Sequence, residues 1–153
     1  MSGASSPTSS TEPSPDSRHW ATLIVPGEPV PLERARTGKG RHYLPDRSRV
    51  YREAVQWAWR GAGSPVFSPP VTLAAKFTHA RPASHIQRDG RVRDRFTDAL
   101  PRGDIDNYLK AVLDALTGLA YEDDRQVALV VYLAKRYGAP AERPCTEIRL
   151  HHS

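Results

Sequence analysis

Cysteine is nearly absent from this chain. Cys145 is the single one among 153 residues, so no internal disulfide can form. That composition suits a reducing compartment and predicts a cytoplasmic protein. Long apolar runs are missing too; none approaches the ~20 residues that a membrane helix needs. The N-terminus lacks the cationic-then-apolar start of a secretory signal. No glycine-rich phosphate loop is present, because Gly38-Lys39-Gly40 lacks the required spacing. His79 and His85 lie six apart and nothing completes a zinc site with Cys145. No Ser-His-Asp or Cys-His set can be argued from the sequence. Nucleotide-loop enzymes, zinc-stapled modules and membrane proteins are thereby set aside.

Acidic residues are also in deficit. The chain carries 22 Lys+Arg against 17 Asp+Glu, for a formal charge of +5. Residues 1–17 hold Glu12 and Asp16 and no base, so the remainder carries 22 basic against 15 acidic residues. A small basic domain makes nucleic acid the first partner to consider. Charge alone fits equally a soluble protein with a high isoelectric point.

Residues 1–17 contain seven Ser, two Thr and three Pro, with no large apolar residue after Met1. Such a segment cannot bury enough apolar surface to offset its ordering entropy, and a disordered tail is expected. Residues 18–153 are expected to form one domain. Trp20 to Val25 reads as a strand ended by Pro26-Gly27. A helix is expected from a Ser48 cap to about Arg60, stopped by Gly61-Ala62-Gly63. Tyr51, Val55 and Ala58 share one face of it, with Trp57 and Trp59 to either side; core or subunit packing outweighs base stacking for these rings. Val71 to Thr78 reads as a second strand. A second helix is expected over Asn107 to Thr117, with Leu109, Val112, Leu113 and Leu116 as its apolar stripe. Val127 to Lys135 alternates Val127, Leu129, Val131 and Leu133 in the period of a strand, and Cys145 to His151 reads as the last strand. The order β-α-β-α-β-β predicts an α/β (α+β) domain with one mixed sheet and two main helices.

Basic residues concentrate in two stretches. Arg34, Arg36, Lys39 and Arg41 open the first, between the initial strand and helix. Arg81, Arg91, Arg93 and Arg102 belong to the second, an irregular excursion over residues 79–103. A long patternless loop is commonly functional or mobile, and these eight side chains are the candidate DNA phosphate contacts. The bland alternative is a solvated surface.

The most informative segment is Asp104-Ile105-Asp106-Asn107-Tyr108-Leu109-Lys110. In an extended segment Asp104 and Asp106 point the same way, about 6.5–7 Å apart along the chain. Asp106 could equally cap the following helix. Lys110 lies one helical turn beyond Asp106, on its face, and Asp114 lies on that face again. A second acidic group, Glu122-Asp123-Asp124, precedes the strongest strand, and the intervening helix turns the chain back towards the first. Phosphodiester hydrolysis uses such parts. Mg²⁺ takes hard oxygen ligands and keeps several waters. It polarises the phosphorus and stabilises the leaving oxygen, while a lysine neutralises developing charge. Carboxylates alone would repel DNA, so basic loops must hold its backbone.

The run Asp104-Ile105-Asp106-Asn107, then Lys110, then Asp114-Ala115-Leu116, then Asp123-Asp124-Arg125-Gln126-Val127 resembles the signature of the RusA family of Holliday junction resolvases. The likeness is specific over residues 104–127 and weaker over about 20–150. It implies a RusA-like fold. It also implies a homodimeric, Mg²⁺-dependent endodeoxyribonuclease, with Mn²⁺ able to substitute, that nicks four-way DNA junctions in recombination and repair. Carried over residue by residue, the catalytic set is Asp104, Asp106, Lys110 and Asp124, with the three aspartates as metal ligands. Gly103 departs from the Pro, Arg or Lys that relatives often place before the first aspartate. The rival readings are a non-catalytic nucleic-acid binder and a nuclease for other branched DNA or RNA.

Overall fold

The structure is a computed structural model that describes residues 20–33, 36–38, 41–43, 46–63 and 65–152. The expected tail over residues 1–17 lies outside the described residues. Eight regular elements follow one another: β1 (Ala21–Pro26), β2 (Arg36–Gly38), β3 (Arg41–Tyr43), α1 (Asp46–Gly61), β4 (Val71–His79), α2 (Ile105–Leu116), β5 (Val127–Tyr137) and β6 (Cys145–His152). The main sheet has the order β1-β6-β4-β5. β6 runs antiparallel to β1 and β4, whereas β4 and β5 are parallel. The mixed sheet, the two helices and the single α+β domain agree with the expectation. β2 and β3 form a separate hairpin, which no hydrophobic pattern announced.

Residues paired across neighbouring strands share a face of the sheet. Leu23, Ile148, Ala75 and Leu133 make one row, and Val25, Thr146, Phe77 and Lys135 the next. Both rows belong to the face that the helices cover, and Leu23, Val25, Phe77 and Ile148 are buried there. Apolar burial on this one face holds the layers together, at roughly 25 cal/mol per Å² removed from water. Tyr51 of α1 reaches into the second row, where its hydroxyl meets the Thr146 hydroxyl at 2.6 Å. Burial raises the Tyr51 pKa far above that of a free phenol.

The helices differ in detail from the sequence expectation. α1 starts at Asp46, so Ser48 lies inside it, buried and with no partner for Oγ among the described residues, rather than capping it. Trp59 is fully buried against Phe67, while Trp57 is 74% exposed. In α2 the core face is Tyr108, Ala111, Val112, Ala115 and Leu116, and Leu109 and Leu113 flank it half-buried. Small alanines at positions 111 and 115 let α2 approach α1, which rotates the stripe away from the leucines. β5 is an edge strand whose Leu129 and Val131 stay exposed, so its alternation does not mark a buried face along its whole length.

The excursion over residues 79–103 is irregular but well tied. It contains 3-10 turns at Ala83–His85 and Asp94–Phe96 and a bridge between Ile86 and Val92. His85 stacks on Phe96 with ring centroids 4.0 Å apart. The half-buried Arg81 donates to the carbonyls of Gly138 and Phe96 and lies over the Tyr137 ring.

Candidate active site

The site begins where the excursion meets α2. Asp104 is the N-cap position, with extended backbone at φ −77° and ψ 139°. Its carbonyl accepts from the amides of Asn107 and Tyr108, which starts the helix. Its carboxylate makes no capping bond. Asp106 already lies in the first helical turn. Asp106 is therefore not the cap, and the two aspartates do not share one extended segment. The helix start brings them to one place all the same. Both line an open depression of about 540 Å³, with Leu100, Ile105, Leu133, Ala134 and Lys135. The helix N-terminus, with its partial positive charge, suits carboxylates there.

The turn that presents Asp104 is braced at three consecutive carbonyls. Lys135 Nζ donates to Pro101 O at 3.0 Å and to Gly103 O at 2.6 Å. The Tyr108 hydroxyl donates to the carbonyl of Arg102 at 2.7 Å. Gly103 has φ +95°, and a Cβ there would sit 3.2 Å from Tyr108 Cε2 and 3.3 Å from Pro31 Cγ. Tyr108 is itself wedged between Phe77 and His79. His79 Nε2 lies 2.9 Å from the Tyr108 hydroxyl, and His79 Nδ1 lies 2.8 Å from Glu28. Burial lowers the His79 pKa, and Glu28 pulls it partly back up. Burial likewise raises the Tyr108 pKa, which keeps the phenol a hydrogen-bond donor.

This brace was not foreseen from the sequence. One signal for it was legible: Lys135 interrupts the apolar alternation of β5, taking the place in the register where a fifth apolar residue would continue it. Tyr108, His79 and Glu28 gave no comparable sign, because their contacts span up to 51 positions in the chain.

Lys110 is exposed on α2, on the stripe of Asp106 and Asp114. Asp124 lies in a 3-10 turn, Asp124–Gln126, just before β5. Asp123 caps that turn by accepting from the Arg125 amide, while Gln126 reaches back to the amides of Glu122 and Asp123. The Arg125 amide bond holds the Asp123 carboxyl below its usual pKa. Desolvation first, and then the Asp124 charge, raise the Asp114 pKa, against the pull of Arg52 and Lys110. The described residues hold no group of three acidic, His or Cys side chains close enough to share one ion. Asp104 and Asp106 line one depression, and Asp124 is near enough to Asp114 for its charge to act there. A pair of carboxylates with open surroundings still fits Mg²⁺, which is commonly held by one or two carboxylates and retained waters.

Of the candidate DNA contacts, Arg91, Arg93 and Arg102 are exposed on the excursion. Arg93 also donates to Ser84 O at 3.3 Å. Arg34 and Lys39 lie outside the described residues, and Arg36 and Arg41 are described as backbone alone.

Residues 26–151 match the family model of the endodeoxyribonuclease RusA. The chain belongs to the RusA endodeoxyribonuclease family. The match runs from the end of β1 to β6 and so includes the braced turn, both acidic groups and the whole excursion. The chain is also similar to the uncharacterized protein YqaN of Bacillus subtilis (strain 168). The two are 30% identical over 137 residues, which cover 84% of this chain and 93% of that protein. RusA membership makes this a nuclease fold, and Asp104 and Asp106 bring two carboxylates to one depression of it. No helix among the described residues is long and apolar enough to cross a membrane.

Proposed function

We propose that the chain is a Mg²⁺-dependent endonuclease that resolves four-way DNA junctions by paired nicks, acting as a homodimer in recombination and repair. The observation that carries the reading is the pairing of Asp104 and Asp106 in one depression, inside a chain of the RusA family. Asp104 and Asp106 would hold the ion, Asp124 would act from its neighbouring turn without being a third ligand in this arrangement, and Mn²⁺ could replace Mg²⁺. When bound, the ion supplies Lewis acidity at the scissile phosphate.

The chain's own residues do the rest. Lys135 and Tyr108 fix the turn that carries Asp104, so its carboxylate needs little reorganisation when substrate arrives. Lys110 places a positive charge one helical turn from Asp106, where it stabilises charge developing on the phosphate oxygens. Arg91, Arg93 and Arg102 hold backbone phosphates beside the cut. Arg81 acts indirectly, by keeping the excursion folded. Arg34, Arg36, Lys39 and Arg41 are the proposed contacts on the other side of the junction. A four-way junction has approximate twofold symmetry, and two equivalent sites answer it.

The test separates binding from cleavage. Asp106→Asn should retain junction binding in a gel-shift assay and lose Mg²⁺-dependent nicking of the same labelled junction. Undiminished nicking by this variant would sink the proposal. Equal cutting of linear duplex and junction by the wild type would point instead to a less selective nuclease.

A further inference from the structure

The acidic depression is not lined by polar groups alone. Of the large apolar side chains left exposed among the described residues, Leu100 and Ile105 are the two that line it, at 65% and 36% exposure. Leu133 and Ala134 add further apolar wall. A single exposed leucine on a protein surface is ordinary. Hydrocarbon set around Asp104 and Asp106 has no use for a hydrated ion or a phosphate, which both call for polar partners. It suits the other parts of a DNA strand that reach such a site, the deoxyribose ring and the face of a base.

Leu100 is also firmly mounted. Just before it, the Ala99 amide donates to the Phe96 carbonyl at 3.1 Å. Just after it, Pro101 is buried, and its carbonyl accepts from Lys135 Nζ at 3.0 Å. A following proline confines Leu100 to extended backbone as well. The chain is thus fixed on both sides of a side chain that stays in solvent. A side chain on a pre-ordered backbone is covered by a partner at little ordering cost. Arg102, two residues further on, is exposed and supplies charge for the same strand.

We propose that Leu100 is the specificity-determining residue of the site, a wedge that seats against the sugar or base beside the scissile phosphate and selects branched over continuous DNA. The proposal rests on the nuclease reading above and adds the residue that sets its selectivity. Leucine makes no hydrogen bond to a base edge, so Leu100 reads shape and not sequence. Apolar wedges enter DNA between base steps, and entry requires the step to open. In a continuous duplex that opening costs the stacking of the step. At a branch the stack is already interrupted, and a base that is unpaired or unstacked is displaced most easily. Phosphate contacts dominate affinity, so the wedge acts on productive seating more than on binding.

The test reads the DNA apart from its cleavage. A fluorescent adenine analogue that brightens on unstacking is placed at the crossover of a synthetic four-way junction. With no divalent ion present, binding of the wild-type chain should brighten it. Leu100→Ser should give a comparable gel shift and leave the probe dim, and Leu100→Met, which keeps an apolar body, should restore the signal. With Mg²⁺ present, Leu100→Ser should nick the junction about tenfold more slowly, the scale set by one leucine no longer covered. Leu100 is exposed, so the melting temperature should not move; Val66→Ser, at an exposed apolar residue outside the depression, is the matched control. Should Leu100→Ser melt early, Leu100→Gln, of similar length, decides in its place. A wild type that binds no junction, or binds without brightening the probe, overturns the proposal. So does Leu100→Ser with wild-type fluorescence and nicking. A lower mass for Leu100→Ser than for wild type in light scattering also overturns it, by assigning Leu100 to a contact between copies of the chain. Fluorescence is read without cleavage, so its failure leaves the Asp106→Asn result standing, and the reverse holds too.

Discussion

Gly103→Ala tests whether the turn before Asp104 is as rigid as its contacts imply. Two costs combine. The backbone has φ +95°, and forcing an L side chain into left-handed space costs about 1–2 kcal/mol. The new methyl would also meet Tyr108 Cε2 at 3.2 Å, Pro31 Cγ at 3.3 Å and the Tyr108 oxygen at 3.4 Å. Comfortable carbon contacts lie near 3.5–4.0 Å, so the neighbours must yield by a few tenths of an ångström. Tyr108 cannot yield freely, because Phe77 lies at 5.2 Å between ring centroids and its hydroxyl holds the Arg102 carbonyl. The total is about 2–3 kcal/mol, or a melting temperature lower by roughly 5–10 °C for a domain of this size. Gly90→Ala is the matched control. Gly90 has φ +87° but nothing within 4 Å of an added Cβ, so it bears the backbone cost alone. Differential scanning fluorimetry on both variants isolates the crowding. Junction cleavage adds the second readout. Displacing Asp104 should lower turnover by about tenfold or more, since a shift of an ångström can cost ~100-fold, while Gly90→Ala should cut normally. Equal melting temperatures for the two variants, with wild-type cleavage by Gly103→Ala, would refute the rigid-brace argument.

Lys135→Met removes the donor to Pro101 and Gly103 and should lower turnover by about tenfold or more, with little change in junction affinity. Lys135→Arg should recover part of it. An affinity loss as large as the turnover loss would make Lys135 a DNA contact instead. Asp114→Asn should raise stability at neutral pH. Burial and the Asp124 charge raise the folded pKa of Asp114, so its contribution is full below the ordinary carboxylate pKa and is lost as pH rises through the raised value. Urea midpoints for wild type and variant should therefore diverge from about pH 4 to pH 7, and parallel curves would contradict the cause assigned.

Much of the fold was legible because its signals are local. Period-two and 3.6-residue patterns set every main strand and helix, and Gly61-Ala62-Gly63 closed α1 as expected. The misplacements have tertiary causes. α2 turns its alanines inward because α1 lies close, and β5 exposes its apolar run because bulges and an edge position override alternation. The β2–β3 hairpin carries no apolar period by which a strand could be recognised.

The sequence by itself determined the family, through the spacing of Asp104, Asp106, Lys110 and Asp124, and it determined the unequal placement of charge. These are properties of order along the chain, and chemistry fixes them before folding. Only the tertiary structure decided that Asp104 takes the N-cap position of α2, that the Asp124 charge reaches Asp114, and that Lys135, Tyr108, His79 and Glu28 support the turn before Asp104. Hydrogen bonds between residues 29 to 51 positions apart depend on which strands become neighbours. That neighbourhood is set by burying the whole core at once, and no short stretch of sequence contains it.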